Sequence, residues 1–483
     1  MLLATVLGSS IASLDATVVN IALPHLGKDL SIGLTGQQWT VNAYALTVSA
    51  FLLLGGSLGD RYGRRKVFLI GAVWFAAASL LCAVAPISGL LITARALQGI
   101  GGALLIPGSL AIVQTTFHPD DRSAAIGAWS GLGGVAFAIG PVLGGWLIQA
   151  ISWRRIFLIN LPLVAVVVWV SILHLPETRN QNAVTDLDVP GAVLAALGLA
   201  GVIYALTEGH DLGWGSTVVL VASIGGALAL ASMVLVEAIS HHPMLPLSLF
   251  GSRQFDAANL VTFIVYAALG GSIFLVPIVL QEVVGLSPLK AGASLLPMTI
   301  LILTLSARAG RLSQRIGPRL PMTLGPIVMG VGLALLTRIE PGSSYLDDIL
   351  PGVVVFGLGL SLTVAPLTST VLSAISDERA GTASAVNNDV SRVAGLIAVA
   401  ALPLLAGISA DAYRHPAELA SSFHSAMWIA AGLCIVGGLV ALLTIRRPAP
   451  TQQLAPLYHC GLDATPICGE AELELRQLHT AGG

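Results

Sequence analysis

The sequence predicts an all-helical polytopic membrane protein with fourteen transmembrane spans, and two observations support this fold class. Of the 483 residues, 55% are hydrophobic and only 10% are charged, whereas about 25% are charged in an ordinary soluble domain. The apolar residues are also collected in runs of about 20 residues, the length that a helix needs to cross the hydrocarbon core. A water-soluble enzyme is therefore excluded, and a net charge of −2 gives no basic excess for binding nucleic acid.

The fourteen runs are separated by Pro, Gly and charged residues. The predicted spans are 2–23, 38–59, 67–86, 89–114, 123–150, 156–175, 188–208, 216–239, 256–280, 288–307, 320–337, 349–371, 381–408 and 423–445. Because the number is even, both termini are expected on one side. The loops on the side of Arg61 hold 15 of the 23 basic residues and the opposite loops hold 6, which places both termini in the cytoplasm.

A segment of the first half recurs in the second half. Residues 56–65 read GSLGDRYGRR and residues 310–319 read GRLSQRIGPR, with five identical positions at a constant offset of 254. Such internal repeats are typical of secondary transporters. We therefore predict a six-helix bundle over 1–175, a linker with the surplus spans 7 and 8 over 176–253, a second six-helix bundle over 254–445, and a disordered cytoplasmic tail over 446–483.

The repeated segments are candidate gates. Glycines permit a tight turn and a close approach of helices, and Asp60 can pair with an Arg of its own cluster or accept hydrogen bonds from a neighbouring helix end. A static, positively charged anchor is the alternative, and the repeat favours gating. The candidate residues are Gly56, Asp60, Arg61, Gly63, Arg64, Arg65, Arg315 and Gly317.

Asp15 lies deep in span 1. A carboxylate at this depth costs about 2.5–3.5 kcal/mol on insertion scales, so we expect it to face a water-filled cavity or to be neutralised by a proton. Asp15 is therefore a candidate proton carrier. The alternative is a structural carboxylate that is hydrogen-bonded to neighbouring helices.

Arg95 is the charged residue of span 4, and Gln98 shares its helix face. A guanidinium stays protonated, so Arg95 can hold an anion or stabilise a carboxylate but cannot itself release a proton. The alternative is that the side chain snorkels to the membrane surface from near the helix end.

Span 5 contains a Gly-rich segment around Pro141. Gly140 and Gly144 are four residues apart and allow two helix backbones to touch, while Pro141 removes one hydrogen bond and favours a kink. Together with Gly145, these residues predict a bending or sealing role, and static packing of small residues is the alternative.

Polar residues on spans 1, 2, 4 and 13 are candidates for lining a substrate cavity. For Trp39 the alternative is an anchor at the membrane interface. At the start of span 13, Asp389 and Arg392 could pair at i, i+3. The adjacent Asn residues could then line a cavity or bond neighbouring helices, or they only decorate a helix that enters from the cytoplasm. The candidates are Asn20, Trp39, Asn42, Tyr44, Gln98, Asn387 and Asn388.

The sequence predicts no cofactor and no metal site. Cys82 and Cys434 lie in apolar runs, and Cys460 and Cys468 of the tail match no common zinc spacing. The sequence contains no P-loop and no His-Glu-x-x-His motif, which argues against an ATP-driven pump and a zinc-dependent intramembrane protease.

These motifs resemble the major facilitator superfamily, and within it the fourteen-span drug:proton antiporters. The resemblance implies export by antiport, with Asp15 and Arg95 in proton coupling and the segment after Gly56 as the cytoplasmic gate. Two departures are Gln314 at the position of Asp60 and the lack of a clear second acidic residue mid-membrane in the C-terminal half. The segments that carry the resemblance are 14–24 (LDATVVNIALP), 56–66, 95–107, 140–141, 153–162, 188–191 and 213–214.

The sequence thus predicts a proton-coupled secondary transporter of the plasma membrane that acts as a monomer and exports an amphipathic small molecule by alternating access. A cationic substrate would compete with the proton for Asp15. The alternatives are an exporter of one endogenous metabolite or lipid, a proton symporter, and a non-transporting membrane sensor. The sensor would tolerate replacement of Asp15 by Asn.

Overall fold

The computed structural model describes residues 1–179, 188–240, 243–376 and 379–446. Within these ranges every regular element is helical, and 14 helices are long and apolar enough to cross a membrane, which confirms the predicted fold class. Cys460 and Cys468, and most of the predicted linker before Asp188, lie outside the described residues. Spans 1 to 14 are Leu2–Asp29, Leu34–Tyr62, Arg64–Val84, Ser88–Thr116, Pro119–Ala150, Arg155–His174, Val189–Leu212, Thr217–Ile239, Arg253–Glu282, Pro288–Ile316, Arg319–Leu336, Tyr345–Ser373, Ala380–Leu405 and Pro416–Thr444.

Several spans depart from regular α-helix. Span 6 is interrupted at Ile159 and span 10 at Leu295, and span 12 begins with the π-helical turn Tyr345–Ile349. Two short helices outside the spans complete the described elements, the 3-10 helix Leu247–Gly251 and the helix Ala410–Arg414. These interruptions stand within apolar runs, where hydropathy alone gives no signal of a break.

The helices are longer than the apolar runs that predicted them. Span 1 was expected to end at 23, but it continues through Pro24 to Asp29. Leu23 and Leu26 are fully buried there, so packing outweighs the hydrogen bond that Pro24 removes. Span 10 was expected to end at 307 and reaches Ile316, because charged side chains mark the membrane surface and a helix can continue beyond it.

Small residues set the distances between neighbouring spans. Gly55 of span 2 lies so close to span 4 that an added Cβ would be 2.2 Å from the carbonyl oxygen of Ala103. Spans 3 and 4 meet in the same way, where a Cβ on Gly101 would lie 2.7 Å from the backbone nitrogen of Phe75. Because lipid supplies no hydrophobic drive between helices, such backbone contact is a main source of association.

The surplus spans 7 and 8 form a pair of their own. They pack together at Gly201 and Gly226, and span 7 also contacts spans 2 and 13. The pair therefore lies beside the seam at which the first and the last six spans meet. Most of the side chains of span 8 point away from the protein, as expected for a helix that faces lipid.

Replacing Gly55 by Ala should destabilise the protein, because the added methyl group has no space against Ala103. Overpacking of this kind costs about 1–3 kcal/mol. We expect a lower apparent Tm of the purified protein in detergent. The matched control is Gly225→Ala in span 8, where an added Cβ meets nothing within 4 Å among the described residues; equal Tm values for the two variants would contradict the packing described here.

Candidate functional site

The two charged residues predicted in spans 1 and 4 form one buried ion pair. The Asp15 Oδ2 and Arg95 Nη1 atoms are 2.5 Å apart, and each side chain is 1% exposed. Arg95 Nε donates to the Thr40 carbonyl of span 2 at 3.1 Å, and the guanidinium lies over the Tyr44 ring at 4.3 Å. A buried ion pair is stable only when hydrogen bonds satisfy its remaining polar atoms.

Amide side chains satisfy the second oxygen of the carboxylate. Asp15 Oδ1 accepts from Gln98 Nε2 at 2.9 Å and from Asn160 Nδ2 of span 6 at 3.0 Å. Both amides also donate to Ser79 Oγ of span 3, at 2.7 and 3.2 Å. The network therefore joins spans 1, 3, 4 and 6 around a carboxylate that receives hydrogen bonds from three side chains.

This geometry corrects one expectation and excludes one alternative. Asp15 faces the interior of the first six spans in this conformation, where Arg95 and two amides satisfy it, and not a water-filled cavity. Arg95 does not snorkel to the surface, because its guanidinium is buried against Asp15. Sequence reasoning missed Ser79 and Asn160, although an Asn inside an apolar run is the kind of signal that could have indicated the latter.

The candidate cavity residues fall into different environments. The side chain of Asn42 is fully buried with no partner for either amide atom among the described residues, and Asn20 Oδ1 has none either. Trp39 packs against the apolar cluster that includes Leu46 of span 2 and Leu396 of span 13. Its Nε1 donates to Glu208 of span 7 at 2.8 Å and its ring lies 6.1 Å from that of Tyr204, so its contacts join the surplus pair to span 2.

The two Asn residues of span 13, Asn387 and Asn388, lie in different environments. Asn387 is buried and donates to Asn259 Oδ1 at 3.0 Å and Thr262 Oγ1 at 2.8 Å, both on span 9. Asn388 is exposed and donates to the Ser384 carbonyl of its own helix. Asn387 thus serves helix packing, and Asn388 is the one of the pair that is free to meet solvent or a ligand.

The segment after Gly56 is mainly helical, not the loop that the sequence predicted. Span 2 continues to Tyr62, and Gly63 alone, at φ +109°, separates it from span 3. Asp60 pairs with Arg64 at 2.7 Å, which is one of the two arrangements expected for this carboxylate. The carboxylate of Glu177 accepts from the backbone N–H groups of Arg65 and Lys66, at 3.1 Å each.

The repeat is visible in the structure. Gly317 has φ +88° and occupies the same place between spans 10 and 11 that Gly63 occupies between spans 2 and 3. Arg65 donates to the Ile172 carbonyl near the end of span 6. Its counterpart Arg319 donates to the Leu442 carbonyl near the end of span 14, so equivalent arginines fasten the last span of each half. Among the other candidates, Arg61 stacks on the neighbouring Tyr62 ring and Arg315 is exposed.

The glycines of span 5 make close contacts on two sides. An added Cβ would lie 2.0 Å from Thr17 Oγ1 at Gly140 and 2.7 Å from a Val18 methyl group at Gly144. Gly145 faces the other way, towards span 10, and a Cβ there would lie 2.4 Å from the Pro288 carbonyl oxygen. The segment therefore packs span 5 against span 1 and against the second half at once.

The contacts between the two halves cluster at one end of the bundle, which we call the Lys28 end. The opposite end, where Gly63 and Gly317 lie, is called the Gly63 end. The polar contacts that join the halves at the Lys28 end are Lys28 Nζ to Glu282 Oε1 at 2.8 Å, Gln281 Nε2 to the Ile21 carbonyl at 3.0 Å, Gln38 Nε2 to the Val399 carbonyl at 2.7 Å and Gln37 Nε2 to the Tyr413 hydroxyl at 2.7 Å.

Spans 5 and 10 separate towards the Gly63 end. Gly145 is in tight contact with Pro288, and a Cβ added at Gly134 would still lie 3.1 Å from a Leu303 methyl group. At Gly127, two further turns along the same face, an added Cβ meets nothing within 4 Å among the described residues. The halves thus converge at the Lys28 end and diverge towards the other end.

Comparison with known proteins shows which family the chain resembles. Residues 5–399 match the family described as Major Facilitator Superfamily. The multidrug resistance protein Stp of Mycobacterium tuberculosis is 34% identical over 86% of this chain and 77% of that protein. The puromycin resistance protein pur8 of Streptomyces alboniger is 35% identical over 83% and 80%, and the methylenomycin A resistance protein of Streptomyces coelicolor is 34% identical over 91% of each chain.

Solved structures share the fold at low sequence identity. A POT family transporter in complex with a thioalcohol-conjugated peptide has a TM-score of 0.68 over 92% of this chain and 94% of that one, at 13% identity. A bacterial homologue of the human lysosomal transporter Spinster has a TM-score of 0.65 over 93% and 98%, at 15% identity. The family match and the relatives above 30% identity lead to the same conclusion: the chain belongs to the Major Facilitator Superfamily of membrane transporters.

Proposed function

We propose that the protein is a proton-coupled antiporter that exports amphipathic small molecules, among them drugs or toxic compounds, across the plasma membrane. The observation that supports this best is the buried Asp15–Arg95 pair, since intramembrane ionisable groups are expensive and commonly belong to proton or ion pathways. The relatives support the direction of transport. They are named as multidrug, puromycin and methylenomycin A resistance proteins, and a further relative from Streptomyces glaucescens is a tetracenomycin C resistance and export protein.

The proposed pathway runs between the two six-span halves of one chain, so the transporter acts as a monomer. With the orientation that the basic residues predict, the Gly63 end faces the cytoplasm. The conformation described here is then closed towards the outside by the contacts at the Lys28 end and open towards the cytoplasm. A substrate from the cytoplasm or the inner leaflet would enter the space between the halves.

The proton step is assigned to Asp15. In this conformation its carboxylate is held by Arg95 and two amides. Protonation would remove the attraction to Arg95 and one acceptor of the network, so spans 1 and 4 would lose the bonds that fix their relative position. A proton and a substrate are exchanged only if each shifts the same two-state equilibrium.

Span 1 connects this step to the outer seal. Thr17 and Val18, which pack against the span 5 glycines, follow Asp15 within one turn. The Ile21 carbonyl, which accepts from Gln281 of span 9, is about 9 Å further along the helix. A shift of span 1 upon protonation of Asp15 would therefore move residues that join the two halves at the Lys28 end.

Asp15→Asn should abolish proton-driven transport. We expect inverted vesicles with an imposed proton gradient to accumulate a fluorescent cationic dye with the wild type but not with this variant. The surface variant Asp347→Asn is the control and should transport normally, because Asp347 is exposed and lies far along the chain from the network. Undiminished transport by Asp15→Asn would refute the assignment of the proton carrier.

Loss of transport must be separated from loss of folding. Asp15→Asn leaves the buried Arg95 without its counter-ion, and removal of one partner of a buried ion pair costs about 3–5 kcal/mol. The double variant Asp15→Asn with Arg95→Gln removes both charges and should recover most of the apparent Tm in detergent. We expect the double variant to be stable and still inactive. A stable double variant that transports would show that the pair is structural only.

Gly145→Ala should loosen the seal at the Lys28 end, because its methyl group would clash with the Pro288 carbonyl. Spin labels at Ile151→Cys and Lys290→Cys, on a background without the native cysteines, would report the separation of spans 5 and 10 there. We expect a longer mean distance in double electron–electron resonance. Gly131→Ala on the same helix is the control, since an added Cβ there meets nothing within 4 Å among the described residues; identical distance distributions in the two variants would disprove the sealing role.

A further inference from the structure

Two charged side chains of span 13 lack the partners that Asp15 and Arg95 have. Asp389 Oδ1 is buried and has no hydrogen-bond partner among the described residues. Arg392, one turn later, makes no hydrogen bond and no salt bridge within the same ranges, and both side chains are half-buried. The i, i+3 pair that the sequence allowed is therefore not formed. Charged groups inside a membrane are costly, and two without a partner point to a ligand.

These side chains do not face span 9. Asn387 marks the face of span 13 that packs on span 9, and at 3.6 residues per turn Asp389 and Arg392 lie roughly 200° and 140° around the helix from it. Their face continues into Leu396 and Ala400, which belong to one apolar cluster with Leu46 of span 2. Asp389 and Arg392 thus lie on the side of span 13 that is turned towards the seam with span 2.

Tyr44 connects this seam with the ion pair of the first half. Leu46, two residues after Tyr44 on span 2, packs in one apolar cluster with Leu396, which is one turn after Arg392 on span 13, and the Tyr44 ring lies against the Arg95 guanidinium at 4.3 Å. The unpartnered charges of span 13 are therefore neighbours of the Asp15 network across the two halves. A ligand at this place would contact both halves, as a substrate in an alternating-access transporter must.

We propose that Asp389 and Arg392 form a dipolar subsite that binds amphipathic ligands carrying both a positive and a negative group. A purely cationic ligand would be attracted by Asp389 and repelled by Arg392. A purely anionic ligand would be attracted by Arg392 and repelled by Asp389. A zwitterion pairs with both charges, and its apolar body can lie on Val393 and Ile397, which are partly buried on the same seam. The proposal rests on the proposed function, because it places the substrate between the halves.

Two dyes that differ in a single group test the subsite. Rhodamine 110 carries a cationic ring system and a free carboxylate, and rhodamine 123 is its methyl ester, which has the same cation and no carboxylate. Binding to the purified full-length protein in detergent would be measured by fluorescence anisotropy. We expect the wild type to bind rhodamine 110 about tenfold more tightly, the effect of one charge-assisted hydrogen bond.

The variants assign this preference to the two residues. Arg392→Gln should raise the Kd for rhodamine 110 about tenfold and should not raise the Kd for rhodamine 123. The preference for rhodamine 110 then disappears. Asp389→Asn should weaken the binding of both dyes, because both carry the cationic ring system. Arg392→Lys keeps the charge and should retain the preference, which shows that a loss in Arg392→Gln is not a folding defect.

The matched control is Arg379→Gln at the start of span 13. Arg379 donates to the Ser248 hydroxyl and lies about 20 Å from Arg392 along the helix axis, so neither dye should be affected. The proposal is overturned if the wild type binds the two dyes equally, if it binds neither, or if Arg392→Gln keeps the preference. Transport is a separate readout: if the preference is present but a proton gradient drives neither dye, the proposed function fails and the subsite stands.

Discussion

The ion pair between Asp15 and Arg95 is the constraint on which the first half of the structure depends. Two full charges in a membrane interior are tolerated only where nearly every polar atom has a partner. Here the partners come from spans 1, 2, 3, 4 and 6, and Gln98 and Asn160 each donate both of their amide hydrogens within the network. The helices can approach closely enough for this because glycines such as Gly101 allow backbone contact.

Close approach at glycines also explains why the two halves meet at one end. Span 5 presents glycines along much of its length, and those near the Lys28 end make the closest contacts with the second half. Gly145 touches Pro288, whereas Gly127 meets nothing within 4 Å among the described residues. The polar contacts at this end are few and include the exposed Lys28–Glu282 pair, which is the kind of pair worth about 0–1 kcal/mol. Such a seal is weak enough to open and close, in contrast to the buried network of span 1.

Hydropathy and charge predicted the number of spans and identified Asp15, Arg95 and the repeat, because each is a local feature of the sequence. They did not predict that Asp15 and Arg95 pair, since these residues are 80 positions apart and a helix that is apolar on every side does not reveal which face meets which neighbour. The same limit applies to Trp39, whose hydrogen bond to Glu208 of span 7 is a tertiary contact that no local pattern predicts. Glu177 was seen only as part of a polar linker, and its role at the start of span 3 depends on tertiary contact.

The two halves differ in how their membrane charges are satisfied, and this asymmetry suits an exchanger. The carboxylate of Asp15 is held by Arg95, Gln98 and Asn160, so in the proposed cycle a proton would have to replace Arg95 as the neutralising charge. Asp389 and Arg392 form no salt bridge among the described residues, and in the proposed subsite the ligand would bring the charges that pair with them. Tyr44 lies against Arg95 and is two residues from Leu46, which packs in one cluster with Leu396 of span 13. In the proposed antiporter, the proton and the ligand would then be coupled through the electrostatic field of a few charges and need not share a single carboxylate.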